Sequence, residues 1–324
     1  MEPEMISRRD FLHSTVAGAA VASLGPAITG SATLPFVLPT RPLGATGMRV
    51  SLLTFGGGSQ FLANGDGAWE RMLERAVEVG INYFDTSSSY QWDAGMSSEE
   101  RFGEVLAPIR DRVFIATKFD SRDPDEAARE FERSLTRMKT DHVDVLLIHA
   151  IVPSDDIAGL EKGVYAMLRR LKEEGSARFI GFSSMDSAVR SREAIERLEL
   201  DVALLAMNPT QYGGFVTETL PAAREKNVGV LAMKVMRDIV GESATPHELL
   251  RYALSQDGVA GALVGHHGMP TLEQNIEIVR SIAATPASGM RPVESRRLET
   301  RLAHLSGPHA LCWARRGYVD GGLA

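Results

Sequence analysis

Four residues of this sequence could together deliver a proton to a carbonyl oxygen. An acid, Asp85, and a phenol, Tyr90, stand five positions apart in NYFDTSSSYQW, and Lys118 and His149 end the next two apolar runs. A nearby ammonium lowers the pKa of a phenol. Lys118 could therefore make Tyr90 a usable acid, with Asp85 orienting the lysine and His149 bonding the substrate oxygen or sharing the proton. This combination predicts general acid catalysis.

Each of the four also has a simpler interpretation when taken alone. Asp85 is typical of a turn or cap, Tyr90 of a loop, and His149 of a packed core. Lys118 is harder to explain, because an unpaired ammonium on a buried strand is costly. Four complementary groups at the ends of three consecutive strands favour a reactive site. Reduction of a carbonyl also needs hydride, which no side chain supplies, so a nicotinamide cofactor is implied.

The elements that would position these residues alternate regularly along the chain. Apolar, β-rich runs are each followed by an amphipathic segment with helical periodicity. Eight such units in about 240 residues predict an α/β fold, a (β/α)₈ TIM barrel. The predicted strands are 50–57, 82–87, 113–119, 143–150, 178–184, 201–209, 228–236 and 261–266. The predicted helices are 67–80, 97–107, 123–138, 160–175, 186–198, 217–226, 245–256 and 271–282.

A doubly wound sheet is the rival fold, and it usually carries a glycine-rich phosphate loop after its first strand. FGGGSQF, residues 55–61, has three glycines without the GxGxxG spacing, which favours a tight turn. In a barrel the site lies at the carboxyl ends of the strands. Polar or glycine residues stand at the predicted strand ends, namely Asp85, Lys118, His149, Ser183, Ser184, Asn208, Lys234, Gly265, His266 and His267.

Composition excludes several other classes of function. The net charge is −7 without a basic stripe, which argues against nucleic-acid binding. A single cysteine, Cys312, cannot form an internal disulfide, and a Cys-ligated zinc or iron–sulfur site needs several thiolates. We therefore expect no metal.

The first 32 residues have the features of a targeting segment. Arg8 and Arg9 precede an alanine-rich apolar stretch that ends in GSA at residue 32. This order is typical of a twin-arginine signal peptide, and the apolar stretch is shorter than the roughly 20 residues of a membrane span. We expect export to the periplasm through the twin-arginine machinery, and a cytoplasmic protein if the signal is not used. An intact residue 1 on protein isolated from the native cytoplasm would contradict export.

Motifs in order along residues 41–290 resemble the aldo-keto reductase superfamily. They are RPLGATGMRVSLLTFGGG, FDTSSSY, IATK, LLIH, IGFSS, ALSQDGVAGALVG and TLEQN. The resemblance implies a barrel over 33–290 with an N-terminal β-hairpin, and NADPH-dependent reduction of a small aldehyde or ketone. It assigns Tyr90 as general acid, Lys118 and Asp85 as the residues that tune it, and His149 as the residue that orients the carbonyl.

The resemblance also implies a set of cofactor contacts, with some departures from the family pattern. Met233 stands where an aromatic residue usually stacks on nicotinamide, and Thr271 replaces an arginine that binds the 2′-phosphate. NADP(H) is therefore expected, with NAD(H) as the alternative. Asn208 or Gln211 would replace the usual glutamine. The implied cofactor residues are Gly56, Gly57, Ser183, Ser184, Asn208, Met233, Lys234, Gly265, His266, His267, Gln274 and Asn275.

The loop after Tyr90 and the C-terminal tail bear on the substrate pocket. QWDAGMS lengthens the loop, and Trp92 in it is a candidate pocket wall or a loop anchor. The tail, 291–324, is a loop that could cover the barrel mouth, with Trp313 and Tyr318 lining the pocket. The alternative function is a cofactor-binding sensor or accessory subunit with little turnover, but the complete set of four residues favours an enzyme.

Overall fold

Eight parallel strands form a closed barrel, as the sequence predicts. The computed structural model describes residues 37–92, 95–241, 243–285 and 289–321. Around the barrel the strand order is β10-β3-β4-β5-β6-β7-β8-β9, with β10 also paired to β9. The barrel strands are β3 Leu53–Gly56, β4 Tyr83–Asp85, β5 Phe114–Phe119, β6 Val143–Ile148, β7 Ala177–Ser184, β8 Val202–Ala206, β9 Gly229–Met233 and β10 Val259–Val264.

A hairpin closes the amino-terminal end of the barrel. Its strands, β1 Thr40–Pro42 and β2 Arg49–Ser51, pair antiparallel. Arg41 donates to the carbonyl oxygens of Leu254 and Val259, at 2.7 and 3.0 Å. The predicted strand 50–57 is thus wrong in one respect, because residues 50 and 51 belong to the hairpin and the barrel strand starts at Leu53.

Helices surround the barrel and connect its strands. They are α1 Ser59–Leu62, α2 Ala68–Glu78, α3 Ser98–Leu106, α4 Pro124–Met138, α5 Ile157–Lys162, α6 Val164–Glu173, α7 Ala188–Arg197, α8 Phe215–Glu225, α9 Pro246–Leu254, α10 Met269–Ala284 and α11 Pro292–Leu302. The predicted helix 160–175 is two helices, because the chain breaks at Gly163, whose φ and ψ are −101° and −107°. None of the helices in the described ranges has the length and hydropathy to cross a bilayer.

Close strand contact shapes the barrel around Gly181 of β7. A Cβ at this position would lie 1.8 Å from the carbonyl oxygen of Val202 on β8. Strands β4 to β6 are buried almost throughout, as expected for parallel strands covered on both faces. Their register places Asp85 beside Ala116 and Lys118 beside Leu147. The polar strand ends therefore meet at the carboxyl end of the barrel.

The tail beyond the last barrel unit is more ordered than the sequence analysis predicted. It contains helix α11, which buries Leu298 and Leu302, where a loop was expected. It then continues through residues 303–321 across the barrel mouth to the site described next. The predicted signal segment, residues 1–32, lies outside the described residues.

Candidate active site

A buried ion pair joins the ends of β4 and β5. Lys118 Nζ lies 2.5 Å from Asp85 Oδ2 and 2.6 Å from the carbonyl oxygen of Thr86, and the two charged side chains are only 1% and 2% exposed. Burial raises the pKa of Asp85, and the neighbouring Lys118 ammonium opposes that shift. A buried pair of this kind must stay together, because losing either partner leaves an uncompensated charge. Asp85 therefore fixes the position of the lysine ammonium.

Tyr90 lies over this pair. The loop after β4 turns through a backbone hydrogen bond from Tyr90 N to Ser87 O of 3.1 Å, and Ser98 N at the start of α3 donates to Tyr90 O at 2.9 Å. The Lys118 ammonium is 3.5 Å from the Tyr90 hydroxyl and 4.8 Å from the ring centroid. This contact stabilises a developing phenolate. The phenol can thus donate its proton beside a fixed cation.

His149, at the end of β6, has its ring oriented by two neighbours. Its Nδ1 lies 2.7 Å from Asp120 Oδ1 and 3.2 Å from Ser87 Oγ. An ionised carboxylate only accepts hydrogen bonds, so Nδ1 carries a proton and Nε2 faces the mouth beside Tyr90. Burial lowers the pKa of His149, but hydrogen bonds to Asp120 and Asp320 outweigh it and leave the pKa raised. Asp120 was not among the predicted site residues, although it also follows a strand end.

The C-terminal tail places a carboxylate in the centre of the site. The Tyr90 hydroxyl donates to Asp320 Oδ2 at 2.7 Å, and His149 Nε2 lies 3.5 Å from the same oxygen. Lys234 pairs with Oδ1, which also accepts from the Tyr318 hydroxyl at 3.1 Å. Lys234 has a left-handed backbone, with φ of +54°, that is uncommon for a residue with a side chain. No sequence signal marked Asp320.

A cavity of about 460 Å³ opens beside these residues. It runs from Asp85 and Tyr90 past Met233 towards the start of α10, and such a volume suits a small-molecule or cofactor site. The N-terminal end of a helix as long as α10 favours an anion such as phosphate. Of the predicted cofactor residues, the cavity is lined by Gly56, Met233, Lys234, Gly265, His267, Gln274 and Asn275.

The residues along this cavity fit a nicotinamide dinucleotide in chemical type. Amide side chains at Gln274 and Asn275 can bond an adenine, and Arg237, which the sequence analysis did not single out, also lines the cavity. Arg237 donates to Ser59 Oγ at 2.5 Å, so its guanidinium is held at the wall. Thr271 lines the same end and carries no charge. The fit therefore leaves the choice between NADP(H) and NAD(H) open.

The remaining predicted cofactor residues have other contacts in the structure. Ser183 Oγ accepts from Ala150 N at 2.9 Å and Ser184 Oγ donates to Ile151 O at 2.7 Å, so both hydroxyls fix the loop after β6. The Asn208 amide donates to Lys234 O and accepts from the Thr210 hydroxyl. A Cβ at Gly57 would lie 2.3 Å from Ser98 Oγ, which places this glycine against α3.

His266, one of the predicted cofactor residues, is a core histidine that does not line this cavity. Its ring is fully buried, 5.4 Å from that of Phe55, and its Nδ1 lies 3.3 Å from Asn275 Nδ2. Burial lowers the pKa of His266 to about 3, so it carries no positive charge at neutral pH. The adjacent residue, His267, is the one that faces the cavity.

The two predicted pocket tryptophans do not line the cavity in this state. Trp92 donates from Nε1 to the carbonyl oxygen of Gly321 at 2.7 Å, so it anchors the tail. Trp313 is 2% exposed and packs edge-on against Tyr212, with ring centroids 5.2 Å apart. Both indoles thus hold the covering tail.

Comparisons with known proteins agree with the barrel fold. The profile described as the Aldo/keto reductase family matches residues 53–238, more than half of the chain. An L-galactose dehydrogenase of Arabidopsis thaliana is 26% identical over 290 residues, which cover 75% of this chain and 88% of that protein. An NADPH-dependent codeinone reductase of Papaver somniferum is 30% identical over 197 residues, 50% of this chain and 61% of that protein.

Solved structures extend the likeness to three dimensions. A Pseudomonas aeruginosa protein assigned to the aldo-keto reductases superposes with a TM-score of 0.64 at 27% identity, covering 76% of this chain and 97% of that one. The family profile ends at residue 238, so the tail that carries Asp320 lies outside the matched part. The barrel matches this family both in sequence pattern and in backbone. This chain belongs to the aldo/keto reductase family.

Proposed function

We propose that this protein is an NADP(H)-dependent oxidoreductase that reduces an aldehyde or ketone to an alcohol. The observation that supports it is the Tyr90 hydroxyl, placed 3.5 Å from the Lys118 ammonium and beside the ring of His149. When bound, the nicotinamide supplies the hydride that carbonyl reduction requires. The relative named as an NADPH-dependent codeinone reductase supports the choice of cofactor.

The residues of this chain would act on the carbonyl oxygen. His149, with a proton on Nδ1 held by Asp120, donates from Nε2 when it is charged and orients that oxygen. Tyr90 then transfers its proton to the same oxygen as negative charge develops on it. The Lys118 ammonium, held by Asp85, stabilises the phenolate that remains. Met233 and Gln274 would contact the nicotinamide and adenine ends, respectively.

Replacing the Tyr90 hydroxyl tests this proposal. We expect Tyr90→Phe to lower carbonyl reduction by about 10²-fold or more, as loss of a general acid does, while NADPH binding stays within a few-fold. The measurement is steady-state reduction of a panel of aldehydes and ketones, with NADPH and NADH titrated by fluorescence.

Tyr165→Phe is the matched control, because among the described residues the Tyr165 hydroxyl bonds the backbone of Glu199 and no group of the site. It should leave reduction unchanged. Equal turnover of Tyr90→Phe and wild type would remove Tyr90 from the mechanism. Tight NADPH binding with no carbonyl reduced by the wild type would instead favour the cofactor-binding sensor.

We also propose that the protein works in the periplasm after twin-arginine export. Arg8, Arg9 and the alanine-rich stretch that follows them support this location. A folded export route would carry the cofactor with the protein.

A further inference from the structure

The tail residues 318–321, which we call the strap, fill the reactive centre of the site. Asp320 accepts from the Tyr90 hydroxyl, pairs with Lys234 and lies 3.5 Å from His149 Nε2. Gly321 accepts from the Trp92 indole. The Asp320 side chain is 10% exposed, whereas the adjacent Val319 is 64% exposed. The strap therefore reaches in from outside.

The position of Asp320 excludes a substrate. A general acid must lie within hydrogen-bond distance of the oxygen that it protonates. At 2.7 Å from the Tyr90 hydroxyl, Asp320 Oδ2 already occupies that place, and His149 Nε2 faces the same oxygen. A carbonyl oxygen cannot bind there until this carboxylate has left.

Asp320 also opposes the chemistry of Tyr90. Burial raises the pKa of Tyr90, and the Asp320 carboxylate raises it further. Lys118 favours the phenolate, whereas a carboxylate hydrogen-bonded to the phenol favours the protonated form. A group that assisted proton transfer from Tyr90 would instead lower the pKa of the Tyr90 hydroxyl. This contact suits a closed resting state.

We propose that the strap is an internal inhibitor of the active site, with the Asp320 carboxylate in the place of the substrate's carbonyl oxygen. Lys234 holds the carboxylate there, and the strap leaves before substrate binds. The identification of the blocked position rests on the proposed function. The occupancy of the Tyr90, His149 and Lys234 donors by Asp320 stands independently of it.

The backbone around the strap offers a way to open it without changing any of these donors. A Cβ at Gly321 would lie 2.1 Å from Tyr90 Cδ1, and Gly321 has φ of +79°. Gly321→Ala should therefore lift the strap. Gly317, four residues earlier, has φ of +81° but would have no heavy atom within 4 Å of its Cβ. Gly317→Ala carries the same backbone strain without the clash, so it is the matched control.

Sodium acetate serves as a probe for the donors that the strap covers. We expect Gly321→Ala, and also Asp320→Ala, to bind acetate at least about tenfold more tightly than wild type, because hydrogen bonds to charged groups become available. Gly317→Ala should bind it as weakly as the wild type does. The measurement is calorimetric titration of the full chain at constant ionic strength, with sodium chloride as the reference salt.

Equal acetate affinity in all four proteins would overturn the proposal. Reduction kinetics add a second readout, since kcat/KM for a small aldehyde should rise in Gly321→Ala and stay unchanged in Gly317→Ala. If the opened variants bind acetate but reduce no carbonyl compound, the proposed function is rejected and the proposal that the strap blocks the site is retained. Reduction by all variants with equal acetate affinities would keep the function and reject the strap.

Discussion

At the scale of single residues, the proton on His149 decides what the histidine can do. Asp120 fixes a proton on Nδ1, so a neutral ring presents an accepting Nε2 and only a charged ring donates from it. The raised pKa of His149 favours the charged form. Asp120 thereby sets the state in which His149 can bind a carbonyl oxygen or the Asp320 carboxylate.

The charge on His149 should make stability depend on pH. Its folded pKa is raised above the ordinary 6.5, so its contribution is fully present below pH 6.5 and is lost as pH rises through the folded value. We expect the difference in unfolding free energy between wild type and His149→Gln to be larger at pH 5.5 than at pH 9.5. Urea denaturation at both pH values measures it.

Asp120→Asn is the companion variant, because it removes a carboxylate that raises the pKa. When His149→Gln is made in Asp120→Asn, its effect on the unfolding free energy should depend less on pH. The prediction fails if the difference in unfolding free energy between wild type and His149→Gln is the same at both pH values, or is larger at pH 9.5. Lys118, Tyr90 and Asp320 also face His149, and Lys118 acts to lower its pKa.

Sequence reasoning found the residues that end strands and missed those whose position depends on distant packing. Asp85, Lys118 and His149 follow apolar runs, and the register of β4 to β6 brings these strand ends to the same end of the barrel. His266 also stands at a predicted strand end, but its ring packs against Phe55 in the core. The sequence shows which residues stand at strand ends, but it does not show the direction in which each side chain points.

At the scale of elements, α3 helps to place the acid. Its first residue, Ser98, donates from N to Tyr90 O, and Ser97 caps the helix in a reciprocal box with Glu100. The sequence predicted this helix within a residue or so because the cap and acids are local signals. It missed α11 and the break at Gly163, where packing against other elements decides.

Removing the α3 cap should affect both stability and catalysis. We expect Ser97→Ala to lower the free energy of unfolding by about 1 kcal/mol and to lower kcat by loosening the loop that carries Tyr90. Thr245→Ala removes the same kind of box from α9, and among the described residues no hydrogen bond of Tyr90 runs to that helix. It should cost similar stability and leave kcat unchanged. Equal kcat for both variants would show that the α3 cap does not influence proton donation by Tyr90.

At the scale of the whole molecule, the tail docks onto the barrel through a few buried side chains. Leu311 and Trp313 are buried anchors, whereas Val319 in the strap is 64% exposed and Arg315 and Arg316 are exposed. The sequence could suggest that the tail covers the mouth. It could not show that Asp320 enters the site, because that contact depends on the path of the whole segment.

Trp313→Ala should release the tail more than it destabilises the barrel. Truncation of a buried tryptophan costs about 3–5 kcal/mol where the surroundings stay in place, but a detachable segment loses at most its own docking energy. We expect trypsin to cut after Arg315 or Arg316 at least tenfold faster, since local opening lets the backbone beside these exposed side chains enter the protease. Thermal unfolding of the barrel should shift by only about 4 °C or less.

Val319→Ala, at an exposed position of the strap, is the control and should change neither rate nor midpoint. Unchanged cleavage in Trp313→Ala would show that the tail is not held by this anchor. A collapse of the thermal midpoint would show that tail and barrel unfold as one unit.

The hydrogen bond between Tyr90 and Asp320 joins residues 230 positions apart in the sequence. A ribosome adds about 5–20 residues per second, so Asp320 is made on the order of 10 s or more after Tyr90. Lys118, His149 and Lys234 are all synthesised in that interval. The nascent chain therefore completes its proton donor before its inhibitor. The contact that covers Tyr90 can therefore form only after all the other residues of the site have been made.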